Sequence, residues 1–153
     1  MYDFRGSNVL ARRVIELPDG KKLSRRWFYY VPVRGMPQKL VHRIEPEALD
    51  HLPGGKNVYL RWQELEAGIK SLVAGANTVA MEYSPGNNIP YLSRVDAGTV
   101  EAIKALGIDV AVDELDHGHR RVVAVAEAGL DDAGVAALAV LVAGRQHVKQ
   151  FAD

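Results

Sequence analysis

The chain has 153 residues and a mass of 16.8 kDa, the size of one ordinary domain. Hydrophobic residues make up 48% and charged residues 25%, which excludes disordered and collagen-like compositions. Net charge is zero with no cysteine, so the sequence carries no disulfide framework, thiolate zinc site, iron–sulfur ligand or cysteine nucleophile.

The balance is uneven along the chain. Residues 1–45 hold 10 Lys/Arg and 4 Asp/Glu, and the remainder holds 9 and 15. The basic residues fall as scattered pairs (Arg12-Arg13, Lys21-Lys22, Arg25-Arg26), which suits an acidic protein surface better than a nucleic acid. The longest strongly apolar run, Val135 to Ala143, falls far short of the ~20 residues that cross a bilayer. A cytoplasmic chain is expected, with no nucleic-acid or membrane partner.

Residues 1–25 are mixed, with a turn signal at Leu17-Pro18-Asp19-Gly20. Trp27 to Val31 is an aromatic and β-branched run and reads as a strand. Strand alternation sends Trp27 and Tyr29 to one face and Phe28 and Tyr30 to the other, so the sheet is covered on both sides. After the break at Arg34-Gly35-Met36-Pro37, Lys39 to Ile44 reads as the return strand of a hairpin. Pro46 is placed to open a short helix through Leu49. Val58-Tyr59-Leu60 is a third strand.

The period then changes. Trp62, Leu65, Ile69, Leu72 and Val73 stand at helical spacing, closed by Gly75. Thr78 to Tyr83 is a strand, and Ser84 to Asn88 a loop. Asp96 caps a second helix carrying Val100, Ile103 and Leu106, stopped by Gly107. Ile108 to Val112 is a strand. Strand–helix–strand–helix–strand over 57–112 predicts a layered α/β domain with parallel neighbours, and the preceding hairpin makes its sheet mixed.

Residues 113–153 use a different vocabulary. Nine of these 41 are Ala and seven are Val, and none is Ser, Thr, Pro, Asn, Ile, Met, Tyr or Trp. A helix is expected from about 131, with Val135, Leu138 and Val142 on its apolar face. Asp116-His117-Gly118-His119 is a local cluster of metal-ligand types, read as a solvated loop because a site needs a further ligand and a supporting shell. His42 and His51 stand alone and suit packing roles. Nucleophile-elbow, phosphate-loop and dinucleotide fingerprints are absent, and Gly54-Gly55-Lys56 is a turn.

Two polar loops remain as binding candidates. One holds Asp3, Arg5 and Asn8; the other holds Asn87, Asn88, Tyr91, Ser93 and Arg94 and follows a strand end, where α/β sheets carry ligands. An arginine there can bind a carboxylate as a bidentate fork. Arg5, Asn8 and Arg94 are the expected contacts to peptide carboxylate or carbonyl groups, and no catalytic or metal-binding residue is assigned.

Tyr2-Asp3-Phe4-Arg5-Gly6-Ser7-Asn8, Ser24 to Pro32 and Lys39 to Glu45 resemble the N-terminal domain of the aminopeptidase P, prolidase and creatinase family. So do Val79 to Pro85, Ile89-Pro90-Tyr91 and Ser93 to Glu101, in the manner of bacterial Xaa-Pro aminopeptidases. The resemblance spans residues 1–112. It implies a three-layer α/β domain with a mixed central sheet flanked by helices, lacking the start of its first strand. In that family this domain is not the catalyst. It shapes the entrance and builds dimers, and a pita-bread domain supplies two Asp, one His and two Glu to two divalent metal ions, usually manganese, cobalt or zinc. That ligand set has no counterpart here, so no cofactor is expected in this chain. Expected partners are a second copy, a pita-bread domain or a peptide. The alternatives are a stand-alone interaction or peptide-binding module, or a regulatory subunit of a separately encoded peptidase. The tail reads either as the product of a changed reading frame or as a diverged helix covering the sheet.

Overall fold

A computed structural model of the chain describes residues 1–18 and 20–112. The expected helix from about 131 and the Asp116–His119 cluster lie outside the described residues. The elements in chain order are β1 (Tyr2–Asp3), α1 (Val9–Val14), β2 (Trp27–Tyr30), β3 (Gln38–His42), β4 (Gly55–Tyr59), α2 (Trp62–Leu72), β5 (Thr78–Met81), α3 (Ala97–Lys104) and β6 (Asp109–Val112). Short 3-10 turns at Pro85–Asn87 and Pro90–Leu92 break the run between β5 and α3.

Four strands form a mixed sheet in the order β1-β2-β3-β4. The hairpin is present: β2 and β3 run antiparallel with Phe28 opposite Leu40 and Tyr30 opposite Gln38. Its aromatic run alternates as expected. Phe28 and Tyr30 face a core built with Leu65, Ile69 and Leu72 of α2, Val100 and Ile103 of α3, and Met81. Trp27 and Tyr29 face a second core with Ala11 and Ile15, Val41 and Leu49. Each face of the sheet therefore buries its own apolar set, and a shift of one residue in β2 would exchange them.

The expected parallel neighbours are present in a different arrangement. β4 pairs parallel with β3, not with β5, while β5 and β6 form a separate parallel pair. β1 pairs Tyr2 and Asp3 with β2, and Met1 extends the pairing by exchanging two hydrogen bonds with Tyr29. Among the described residues no strand pairs with the other edge of β1. Side chains make the connection there instead, as described below.

Three local expectations are corrected. Residues 43–50 form successive turns, not a helix from Pro46, because Glu45, Ala48 and Leu52 donate three residues back, to His42, Glu45 and Leu49. The strand at Thr78 ends at Met81 rather than Tyr83, where Tyr83 N folds back onto Met81 O at 2.7 Å. Helix α1 falls in a segment that looked mixed, and Asn8 starts it by accepting Ala11 N at 3.0 Å.

The other boundaries follow their signals. Gly75 and Gly107 sit at φ 83° and 79°, the left-handed conformation that ends a helix at no steric cost. Leu106 lies beyond α3 and is exposed. Among the described residues, no helix is long and apolar enough to cross a membrane.

Candidate functional site

The two polar loops meet at Glu82. Its carboxylate is buried and accepts Asn8 Nδ2 at 3.1 Å, reaching the first loop. Its carbonyl accepts Arg94 N at 2.8 Å and Val95 N at 3.1 Å, pinning the end of the second. A lone acidic residue inside the apolar run Val79-Ala80-Met81-Glu82-Tyr83 was the sequence signal for this joint. A buried carboxylate needs donors, and a polar loop elsewhere has to bring them.

Asp3 organises the first loop. It is fully buried, with Oδ1 accepting Asn8 N at 2.8 Å and Oδ2 accepting Gly6 N at 3.1 Å. Arg12 lies 3.7 Å from the same carboxylate. These bonds hold a tight turn closed by Ser7 N donating to Phe4 O at 3.1 Å. Its central residues, Arg5 and Gly6, have φ of 58° and 81°, the I′ pattern that favours Gly, Asn and Asp. Arg5 is thus a side chain placed in a conformation with a local cost.

The expected binding residues occupy different environments. Arg5 is exposed, its guanidinium over the Phe4 ring with 5.8 Å to the centroid. Arg94 is half-buried, and its Nε donates to Tyr91 O at 3.0 Å. Asn8 is fully buried, and its amide is engaged on both sides. Nδ2 donates to Tyr2 O at 2.7 Å as well as to Glu82, and Oδ1 caps α1. Asn8 therefore acts as a post that joins the loops, while Arg5 and Arg94 carry the cationic groups around it.

A second link closes the same rim. Tyr2 is buried and donates its hydroxyl to Asp96 Oδ2 at 2.5 Å. Asp96 Oδ1 accepts Thr99 N at 2.9 Å, capping α3. Burial, then the bond to Asp96, push the Tyr2 phenol up to about 12. For Asp96, partial burial opposes ionisation, but the bonds from Tyr2 and Thr99 outweigh it and hold the carboxyl below its ordinary range.

The isolated histidines have structural partners. His42 Nδ1 accepts Ile44 N at 3.0 Å, with its ring edge-on to Tyr59 at 4.9 Å. His51 Nε2 lies 3.0 Å from Ile15 O. Among the described residues, no group of three or more His, Asp and Glu side chains is placed to hold a metal ion.

The rim thus joins the buried carboxylates of Asp3 and Glu82 to the exposed Asp96 through hydrogen bonds, and its loops carry Arg5 and Arg94. Such a rim can position cations for a carboxylate or carbonyl ligand. No protein-family model matches the chain, and no curated protein matches it.

Proposed function

We propose that this chain is a non-catalytic α/β domain of the aminopeptidase P, prolidase and creatinase type, shaping peptide access to a metal centre carried by a separate pita-bread domain. The observation that carries this reading is the joint at Glu82. The segments that resemble the family, Tyr2 to Asn8 and Val79 to Glu101, lie far apart in sequence, yet they converge on one rim through Asn8, Glu82, Arg94 and the Tyr2–Asp96 bond. A mixed α/β architecture with covered faces agrees with the three-layer domain the resemblance implies. Arg5 and Arg94 are the cationic contacts for peptide on that rim.

The test has two parts. The purified chain, given an Xaa-Pro peptide with Mn²⁺ or Co²⁺, should release no N-terminal residue. Release that follows the chain through purification and stops with a chelator would overturn the non-catalytic reading. Arg5→Ala and Arg94→Ala should each weaken peptide binding, and unchanged titration curves for both would remove the assigned contacts.

A stand-alone interaction module is the second reading, favoured by the outer strand β4. Among the described residues its outer edge pairs with no strand; it carries exposed Val58 and is followed by Leu60 and Trp62, exposed at 44% and 65%. Unpaired edges of this kind pair readily with other strands. Light scattering tests the module: self-association abolished by Val58→Lys supports an associating edge at β4, and a monomer at high concentration counts against it.

A further inference from the structure

We infer that Arg5 and Arg26, held on the ring of Phe4, form a two-guanidinium clamp for the C-terminal carboxylate of a peptide. The clamp rests on the peptide-access reading and deepens it, adding Arg26 and the carboxylate end of the ligand.

The register of the sheet builds it. β1 and β2 pair with Tyr2 opposite Phe28 and Asp3 opposite Trp27. One step further along the same antiparallel register sets Phe4 opposite Arg26. The Arg26 guanidinium lies over the Phe4 ring with 5.5 Å to the centroid, and that of Arg5 with 5.8 Å. Both distances fall within the range in which an aromatic ring attracts a cation. Both guanidiniums thus lie within reach of the same ring.

The backbones behind both arginines are fixed. Arg5 is held at φ 58° by the turn that rests on buried Asp3. The Arg26 carbonyl accepts the Tyr59 hydroxyl at 2.7 Å. Both side chains are exposed, and among the described residues neither guanidinium forms an ion pair. The nearby carboxylate of Asp96 attracts the Arg26 charge without a direct ion pair and is hydrogen-bonded by Tyr2 and Thr99. Asp3 is enclosed and satisfied by Gly6, Ser7, Asn8 and Arg12.

Paired guanidinium forks suit a carboxylate because each presents parallel N–H donors to its two oxygens. Phe4 remains 36% exposed, leaving apolar surface for the terminal side chain of the ligand. A fixed backbone lowers the ordering cost of binding. The strained turn has a role here, since it aims Arg5 at the ring shared with Arg26.

The test titrates the ¹⁵N-labelled full chain with Ala-Pro-Phe, its C-terminal amide, Ala-Ala-Phe and inorganic phosphate, following the amide resonances of Phe4, Gly6 and Trp27. Ala-Pro-Phe should shift all three and bind at least about ten-fold more tightly than its amide, because a charge-assisted bond is lost in the amide. Arg5→Gln and Arg26→Gln should each weaken Ala-Pro-Phe by about ten-fold through loss of that bond. Equal binding of acid and amide, or an unaffected Arg26→Gln, overturns the clamp. Phosphate bound as tightly as the peptide overturns the assignment to a peptide carboxylate. Ala-Ala-Phe bound as well as Ala-Pro-Phe supports the clamp while counting against the Xaa-Pro preference. A loss confined to Arg94→Gln overturns the clamp and leaves the peptide-access reading standing. If Arg26→Gln unfolds the chain, Arg26→Lys replaces it, keeping the charge without the fork; undiminished affinity would then overturn the clamp.

Discussion

Asn8 donates its side-chain amide to the Glu82 carboxylate at 3.1 Å, across 74 residues of sequence. The same nitrogen donates to the Tyr2 carbonyl at 2.7 Å, and the amide oxygen caps α1. One buried residue thus joins the first strand, the first helix and the end of β5. A polar network of this kind stabilises only while every member is satisfied.

Asn8→Ala should therefore be costly. It removes a helix cap, worth about 1 kcal/mol, and leaves buried Glu82 without its amide donor, worth roughly a further 1–3 kcal/mol. Urea denaturation should show a lower midpoint with an unchanged slope. Asn8→Asp keeps the cap but sets a second carboxylate against Glu82. It should be destabilised at least as much as Asn8→Ala, and a midpoint equal to wild type would contradict the geometry.

Tyr2 carries a high-pH prediction. Its folded-state value of about 12 lies above the ordinary value of 10.0, so the folded chain favours the protonated phenol. That stability is fully present below pH 10 and is lost as pH rises from 10 towards 12. Tyr59 is raised to about 12 as well, by burial, and adds to the same decline. Tyr2→Phe should lower neutral stability by about 1 kcal/mol, for the lost hydrogen bond to Asp96, and make the alkaline decline shallower. Thermal unfolding at neutral and alkaline pH measures both effects.

Asp96 carries the opposite sign. Its carboxyl is held below the ordinary 3.8, so its contribution is present above that value and is lost as pH falls through the folded-state value. Asp96→Ala should cost about 1 kcal/mol as a lost cap of α3, with a further loss at Tyr2. Asp96→Asn keeps an acceptor for Thr99 and should be milder at neutral pH, with a flatter acid limb. An acid limb unchanged from the wild type would remove Asp96 as its source.

Gly54 tests the entry to β4. It sits at φ 102°, and a Cβ there would lie 2.1 Å from the Pro37 carbonyl oxygen. Strain and overlap both act against Gly54→Ala, so a loss of roughly 3 kcal/mol or more is expected. A midpoint close to wild type in urea would contradict the tight approach of these two segments.

Much of the fold was legible where the signal is local. The helix over Trp62–Leu72 follows from its apolar spacing, and Asp96 announces α3 because a carboxylate caps only its own first turn. The aromatic alternation of Trp27 to Tyr30 foretold two covered faces, since successive strand residues must point oppositely. The two loops were visible as polar segments, Arg5 in one and Arg94 in the other, and the structure brings them together at Glu82.

Local pattern in the chain thus specifies the strands from Trp27 onward, the helices α2 and α3, their buried faces and the polar loops, through interactions a few residues long. It did not mark α1, whose cap depends on the buried Asn8. Tertiary structure alone decided that β4 joins β3 while β5 and β6 pair apart, because strand neighbours are selected by packing between segments distant in sequence. It also decided that Asn8 is enclosed as a post. The partner that encloses it, Glu82, comes from a distant strand end, and local pattern carries no record of which buried donor meets which buried acceptor.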